Sequence, residues 1–120
     1  MREMGDKIII VEGKTDKERL LDIIDESIQV ICTHGTLDKE WLEEWIDVLE
    51  GEEVYILVDA DSAGIKLRQQ LKRAIPNARH LYTRKMYREV ASTPLEYLVK
   101  ILDDAHFTIH EKYHPLLRQI

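Results

Sequence analysis

Residues 54–64 read VYILVDADSAG, and this stretch decides the fold class because an apolar run passes directly into two acids, a serine and a glycine. An uninterrupted β-branched and aliphatic run is typical of a strand that is buried on both faces of a parallel sheet. Serine is a common residue at the start of a helix, where its side chain caps the first turn. The stretch therefore predicts a strand over 54–59 that leads at once into a helix capped by Ser62.

The N-terminal stretch has the same layout. Residues 7–13, KIIIVEG, predict a buried strand that ends at Glu12 and is followed by Gly13. Thr15 and Glu18 then form a capping box, which predicts the start of a helix. Two strand–helix units of the same kind thus stand in the first half of the chain.

Helical and strand-like segments alternate along the rest of the chain. Further strands are predicted over 28–32 and 79–83, and further helices begin near Asp38 and at a second capping box, Thr93-Pro94-Leu95-Glu96. This alternation predicts an α/β fold with one domain over 1–120, built on a central parallel four-stranded sheet with helices on both faces. The predicted core spans about 7–105, and 106–120 forms a C-terminal extension that packs as a short strand or helix.

The composition restricts the environment of the protein. No apolar run approaches the ~20 residues of a membrane span, and the N-terminus shows no secretory apolar region. The single cysteine, Cys32, excludes an intrachain disulfide framework and fits a reducing compartment. We therefore expect a cytoplasmic protein with no membrane partner.

Charge is distributed unevenly along the chain. The formal net charge is −6, yet residues 1–61 hold 18 acidic and 6 basic side chains, whereas residues 66–89 hold 8 basic side chains and one acid. A local basic patch attracts phosphate groups even on an acidic protein. The pattern leaves two interpretations open: a basic face for nucleic acid, or a polar helix and loop that happen to be rich in Lys and Arg.

Three acids are predicted to meet at one edge of the sheet. Glu12, Asp59 and Asp61 end or follow the first and third strands, and open parallel sheets bind ligands beyond the carboxyl ends of their strands. Crowded carboxylates repel each other unless a cation holds them together, and Mg²⁺ prefers oxygen ligands. The acids therefore predict a magnesium site, with Mn²⁺ as a substitute. Glycines and the helix amides near Ser62 favour a phosphate beside it.

These residues resemble the Toprim domain, a fold shared by bacterial primases, topoisomerases, recombination-repair proteins, overcoming-lysogenization-type nucleases and ribosomal-RNA maturation nucleases. The resemblance rests on VEGKTD at 11–16, DADSAG at 59–64 and a Thr-x-Gly turn at 33–35. It extends over about residues 7–100. The motifs are similar to those of small stand-alone Toprim proteins related to the ribosomal-RNA maturation nucleases.

The resemblance implies roles for individual residues. Glu12 would be the general acid/base or a metal-linked carboxylate, and Asp59 and Asp61 would bind Mg²⁺. Lys14 and Asp16 would position or neutralise phosphate and join Glu12 as candidate catalytic residues. The candidate residues for binding phosphate or nucleic acid are Gly13, Gly35, Ser62, Gly64, Lys66, Arg68, Arg84 and Lys85.

Several functions remain open from the sequence. The leading hypothesis is Mg²⁺-dependent hydrolysis of phosphodiester bonds in RNA or DNA. The alternative is a non-catalytic nucleic-acid-binding or regulatory module that acts with a partner protein, and a homodimer is open as well. Ala63 stands where a topoisomerase-like pattern has a third acid, so the primase or nuclease pattern fits better. A receiver domain and a haloacid-dehalogenase-type phosphatase fit poorly, because both place an acidic pair at the first strand.

Two further groups of residues have no assigned role. His106, His110 and His114 recur at helical spacing, but Pro115 disfavours a helix there, and solvated or capping histidines are commoner than metal ligands. Tyr82 and Tyr87 flank the basic stretch. For these tyrosines, ordinary packing is favoured over stacking on nucleic-acid bases.

Overall fold

The computed structural model describes residues 6–35, 37–83 and 89–118. Strands and helices alternate over most of this length, as the sequence predicts. In chain order the elements are β1 (Lys7–Val11), α1 (Lys14–Ile23), β2 (Ile28–Cys32), α2 (Lys39–Leu49), β3 (Glu53–Leu57), α3 (Ser62–Ala74), β4 (Arg79–Leu81), α4 (Leu95–Asp104) and α5 (His114–Leu117), with one 3₁₀ turn at Glu111–Tyr113.

The four strands form one parallel sheet in the order β2-β1-β3-β4. The two central strands pair in a register that sets Ile8 beside Val54 and Ile10 beside Ile56. Because both strands run in the same direction, their carboxyl ends meet at one edge of the sheet. The predicted parallel four-stranded sheet is confirmed, and it brings the Glu12 and Asp59 segments together.

Alternate residues of the central strands enter two separate cores, one on each face of the sheet. Ile9 and Tyr55 pack with apolar residues of α1 and α4 on one face. Ile8 and Ile56 pack with apolar residues of α2 and α3 on the other face. Burial on both faces explains why the strand sequences are almost uninterrupted apolar runs. The prediction of helices on both faces is confirmed.

The start of α2 is as predicted, with Asp38 as its N-cap, but the starts of α1, α3 and α4 differ from the predicted ones. Gly13, rather than Thr15, is the N-cap of α1, and Asp61, rather than Ser62, is the N-cap of α3. Pro94 is the N-cap of α4, whereas the Thr93 hydroxyl donates to the carbonyl of Glu89 instead of capping the helix. In each case the chain enters the helix one or two residues from the position that the capping template selects.

The segment after α4 packs back onto the sheet layer. Phe107 and Ile109 are buried in the same core as α1 and α4, and Ile109 forms an antiparallel bridge with Ile24. His106 has a positive φ of 67°, and His114 Nε2 donates to the carbonyl of Ile109 at 2.8 Å. The three C-terminal histidines therefore do not share one helix. Within the described ranges, no helix is long and apolar enough to cross a bilayer.

Candidate functional site

The ends of β1 and β3 are joined directly at the carboxyl edge of the sheet. Glu12 follows the last residue of β1, and Asp59 lies two residues beyond β3. The Asp59 amide donates a 2.8 Å hydrogen bond to Glu12 Oε1. Two of the three predicted site acids are thus held together by the strand pairing and by a main-chain contact.

Main-chain amides also orient Asp59 and Asp61. Asp59 Oδ1 accepts from the Val90 amide at 2.8 Å, and Asp61 Oδ1 accepts from the Gly64 amide at 2.8 Å as the N-cap of α3. Each acid therefore has one oxygen fixed by the protein. None of the other described residues donates a hydrogen bond to the second carboxylate oxygen of Glu12, Asp59 or Asp61.

The electrostatics of this edge are repulsive. Burial raises the pKa of Glu12, and the charges of Asp59, Asp61 and Asp16 raise it further against the lowering effect of the Asp59 amide. Burial also raises the pKa of Asp59; the Val90 hydrogen bond opposes this shift, and the charges of Asp61 and Glu89 add to it. Carboxylates that are crowded and partly desolvated in this way favour protonation or a bound cation.

Asp16 belongs to the same acidic group, whereas Lys14 does not. Asp16 is 8% exposed and accepts from the Gly13 amide at 3.3 Å. Its pKa is raised by burial and by the charge of Asp59, which outweigh the Gly13 bond and Arg19. Lys14 points to solvent and lies 3.8 Å from Glu18. The Asp16 side chain is thus buried beside the acids, whereas the Lys14 side chain lies in solvent.

Residues 89–93, which no sequence motif singles out, form part of the same site. Arg19, on α1, donates to the carbonyls of Val90 at 2.7 Å, Ala91 at 3.2 Å and Thr93. The Val90 amide in turn holds Asp59, and Glu89 contributes charge to Asp59 and Asp16. Since these contacts join residues 31 and 71 positions apart, no local motif points to them.

The sequence predicts that the glycines favour a nearby phosphate, but in the structure Gly64 is in close contact with the end of β3. A Cβ at Gly64 would lie 1.9 Å from the Asp59 carbonyl oxygen, so the glycine lets α3 approach the end of β3. Gly13 has an extended backbone, and a Cβ there would lie 4.0 Å from a carboxylate oxygen of Asp16, whereas Gly35 has a positive φ of 113°. Ser62 lies exposed at the start of α3. The turn that contains Gly35 lies beside Glu12, because the amide of His34 donates to the Glu12 carbonyl at 2.7 Å.

The predicted basic residues fall into different environments. Lys66 is exposed on α3. Arg68 is only 8% exposed and donates to the carbonyls of Val58 and Leu81 and to His80 Nδ1, so its guanidinium lies inside the protein rather than on an open face. The predicted contacts of Arg84 and Lys85, like the position of Tyr87, lie outside the described residues.

The donor set suits a hard divalent cation by its chemistry. Glu12, Asp59 and Asp61 are carboxylates, the neighbouring acids raise the pKa of Glu12 and of Asp59, and each of the three has one oxygen that no other described residue engages. Among the described residues, no three His, Cys, Asp or Glu side chains already form a metal-coordinating group. A cation would therefore rely on water or phosphate for part of its shell, as Mg²⁺ usually does.

Comparison with known proteins agrees with this fold. A family model for the Toprim domain matches residues 7–88. The chain belongs to the Toprim domain family. Among solved structures, a small TOPRIM domain protein from Bacillus stearothermophilus is 44% identical with a TM-score of 0.85, over 92% of this chain and 93% of that one. The suspected resemblance is confirmed.

Relatives in the family differ in how much of their length they share with this Toprim chain. The uncharacterized protein YusF of Bacillus subtilis (strain 168) is 45% identical over 105 residues, which cover 88% of this chain and 72% of the relative. Ribonuclease M5 of Mycoplasma genitalium is 36% identical over 78 residues, 64% of this chain. The match spans only 43% of that ribonuclease.

Proposed function

We propose that this Toprim protein processes nucleic acid in a Mg²⁺-dependent manner by hydrolysing phosphodiester bonds in RNA or DNA. The observation that carries the proposal is the acidic edge, where Glu12, Asp59 and Asp61 each have one oxygen fixed by a main-chain amide or cap and a second one that no other described residue engages. Similarity to proteins named ribonuclease M5 supports phosphodiester chemistry as the reaction class.

Asp59 and Asp61 would hold the ion, and Glu12 would either join them or handle a proton. Once bound, the ion would neutralise phosphate charge and lower the pKa of a water molecule. The pKa of Glu12 is raised first by burial and then by the charges of Asp59, Asp61 and Asp16, and this direction suits a residue that takes up and releases a proton. The main-chain amides at the exposed start of α3 would donate to a phosphate oxygen.

The test compares Asp59→Asn with Asp22→Asn. Asparagine keeps an oxygen for the Val90 amide, so the turn stays in place while one carboxylate charge is lost. We expect Asp59→Asn to lower Mg²⁺-dependent cleavage by on the order of 100-fold or more. Asp22 contacts the C-terminal tail, away from the acidic edge, and its variant should cleave like the wild type.

The substrates are labelled structured RNA, duplex DNA and single strands of both types, each titrated with Mg²⁺ and with Mn²⁺. Undiminished turnover by Asp59→Asn would overturn the assignment of the site. A second candidate is a non-catalytic nucleic-acid-binding or regulatory module that acts with a partner protein. Salt-dependent affinity for nucleic acid without cleavage in either metal would select that function.

A further inference from the structure

Tyr82 is an exposed aromatic residue at the same edge of the sheet as the acidic site. It directly follows β4, whose last residue, Leu81, pairs with Leu57 of β3. Tyr82 therefore lies one strand away from the segment that carries Asp59. It is 58% exposed, whereas Tyr55 of the neighbouring strand is 2% exposed and buried in the core. Ordinary packing, which the sequence favours for Tyr82, does not describe a ring with this exposure.

The ring of Tyr82 rests on a cation that the protein holds in place. The guanidinium carbon of Arg68 lies 4.1 Å from the ring centroid. Arg68 Nη2 donates to the carbonyls of Val58 at 3.3 Å and Leu81 at 3.0 Å, which ties the ends of β3 and β4 together. The guanidinium is thus fixed by the strand ends, and the ring above it has a fixed support.

His80 completes this support. Arg68 Nη1 lies 3.0 Å from His80 Nδ1, and because arginine can only donate, the imidazole accepts at that nitrogen. Burial first, and then the charges of Arg68 and Lys72, lower the pKa of His80 to about 4, so the imidazole is neutral at physiological pH. The His80 ring lies 6.4 Å from the Tyr82 ring at an interplanar angle of 29°.

The supported ring also stands near the acids. The charge of Glu12 acts on Arg68, so the guanidinium below Tyr82 lies within electrostatic reach of the acidic edge. A single exposed apolar residue needs no explanation on a protein surface. An aromatic ring that is held from below and lies beside a phosphate-handling edge has the properties of a stacking platform for nucleic-acid bases.

We propose that Tyr82 stacks on an unpaired nucleotide base while the adjoining phosphate lies at the acidic edge. This proposal rests on the proposed function and names its substrate class: single-stranded RNA or DNA, or an unpaired nucleotide within a structured molecule. In a continuous duplex both faces of each base are covered by neighbouring bases, so the platform selects against it. Arg68 acts as a positioning residue, because it contacts the ring and the strand ends.

The experiment measures equilibrium binding of labelled oligonucleotides with Ca²⁺ in place of Mg²⁺, so that binding is separated from turnover. The ligands are a single strand, an abasic strand of equal length and a blunt duplex, each as RNA and as DNA where the chemistry allows. We expect Tyr82→Leu to weaken binding of the base-containing strand by about 5- to 150-fold. Its effect on the abasic strand should be less than about twofold, and Tyr82→Trp should bind like the wild type or more tightly.

Two controls separate stacking from structural damage. Leu21 is an exposed apolar residue on α1, 44% exposed, and Leu21→Ala should leave binding unchanged. The melting temperature of each variant shows whether the sheet edge is intact. Equal weakening of the base-containing and abasic strands, unchanged binding by Tyr82→Leu, or no binding of any strand by the wild type would each overturn the platform.

The outcome is independent of the cleavage test. Cleavage that depends on Asp59 but not on Tyr82 would leave the proposed function standing without the platform. Tyr82-dependent affinity for bases without any cleavage would establish the platform and remove the proposed hydrolysis. Comparison of the RNA and DNA arms then shows which sugar the neighbouring surface accepts.

Discussion

Carboxylates at the acidic edge and carboxylates that hold the C-terminal segment have opposite electrostatic environments. At the edge, burial and neighbouring acids raise the pKa of Glu12, Asp16 and Asp59. Near the C-terminal segment, hydrogen bonds from Tyr113 and Lys112 lower the pKa of Asp22. The pKa of Glu26 is also lowered. Burial alone would raise it, but hydrogen bonds from the Thr108 amide and from Lys7 outweigh burial.

The two groups of carboxylates have opposite effects on the stability of the fold. Asp22 and Glu26 stabilise the fold because cations and N–H groups compensate their charges. The acids at the edge repel each other, so their arrangement lowers the stability of the metal-free protein. Uncompensated charge that is maintained by main-chain hydrogen bonds is characteristic of functional sites. The contrast in pKa therefore supports the proposed site on grounds other than its sequence motifs.

The largest expected loss of stability comes from Gly64→Ala, which changes the packing at the acidic edge but no charge. In Gly64→Ala the new methyl group would lie 1.9 Å from the Asp59 carbonyl oxygen, so the turn between β3 and α3 must shift. We expect a loss of at least about 2 kcal/mol in the free energy of unfolding, because main-chain atoms cannot move aside as a flexible side chain can. Denaturant unfolding measures this loss.

Gly13→Ala is the matched control for that change. Gly13 has an extended backbone, and the nearest atom to an added Cβ is a carboxylate oxygen of Asp16 at 4.0 Å. We expect a loss of less than about 1 kcal/mol, mainly from replacing glycine at an N-cap. Equal effects of the two substitutions would contradict the packing argument for Gly64.

The next prediction is that removing a charge at Asp59 and removing a charge at Asp22 shift the melting temperature in opposite directions. Without metal at neutral pH, Asp59→Asn should raise the melting temperature, because it removes a charge that Asp61 and Glu89 repel. Asp22→Asn should lower the melting temperature, because it weakens the contacts with Lys112 and Tyr113. Thermal unfolding in EDTA measures both shifts, and shifts of the same sign would refute the contrast.

Magnesium should reverse the order of stability at the edge. Any ion that binds only the folded state raises its stability by mass action. Wild type and Asp22→Asn should therefore gain melting temperature on adding Mg²⁺, whereas Asp59→Asn should gain little. A full Mg²⁺ response in Asp59→Asn would place the ion elsewhere.

The fold and the positions of the acids could be predicted because they depend on local patterns. The apolar runs over KIIIV and VYIL fix two buried strands, and parallel pairing then places Glu12 and Asp59 at one edge. The predicted caps of α1 and α3 were wrong because capping templates favour Thr15 and Ser62, whereas the chain that enters from a strand end places Gly13 and Asp61 at the caps. Cap identity is thus decided by how the strand end meets the helix.

The rest of the site depends on contacts that no local pattern contains. Arg68 looks like one cation of a basic stretch, but its guanidinium is buried because Val58 and Leu81 offer carbonyls at the ends of two strands. No sequence motif singles out Arg19 on α1, yet it donates to the carbonyls of Val90 and Ala91. Both assignments require knowing which strand and loop ends lie together.

The smallest expected effect on stability concerns Glu26, whose charge is compensated by the Thr108 amide and by Lys7. Glu26 accepts from the Thr108 amide at 2.6 Å and lies 3.3 Å from Lys7 Nζ, so Glu26→Gln should cost about 1 kcal/mol of unfolding free energy at neutral pH. Because the folded state lowers the pKa of Glu26, this contribution is complete above its ordinary value near pH 4.5 and is lost as the pH falls through the folded value. Denaturant unfolding from pH 7 to pH 3 should show the wild-type advantage shrinking below about pH 4.5. Glu18, 64% exposed and 3.8 Å from Lys14, provides the control, and Glu18→Gln should change stability by less than about 0.5 kcal/mol at any pH.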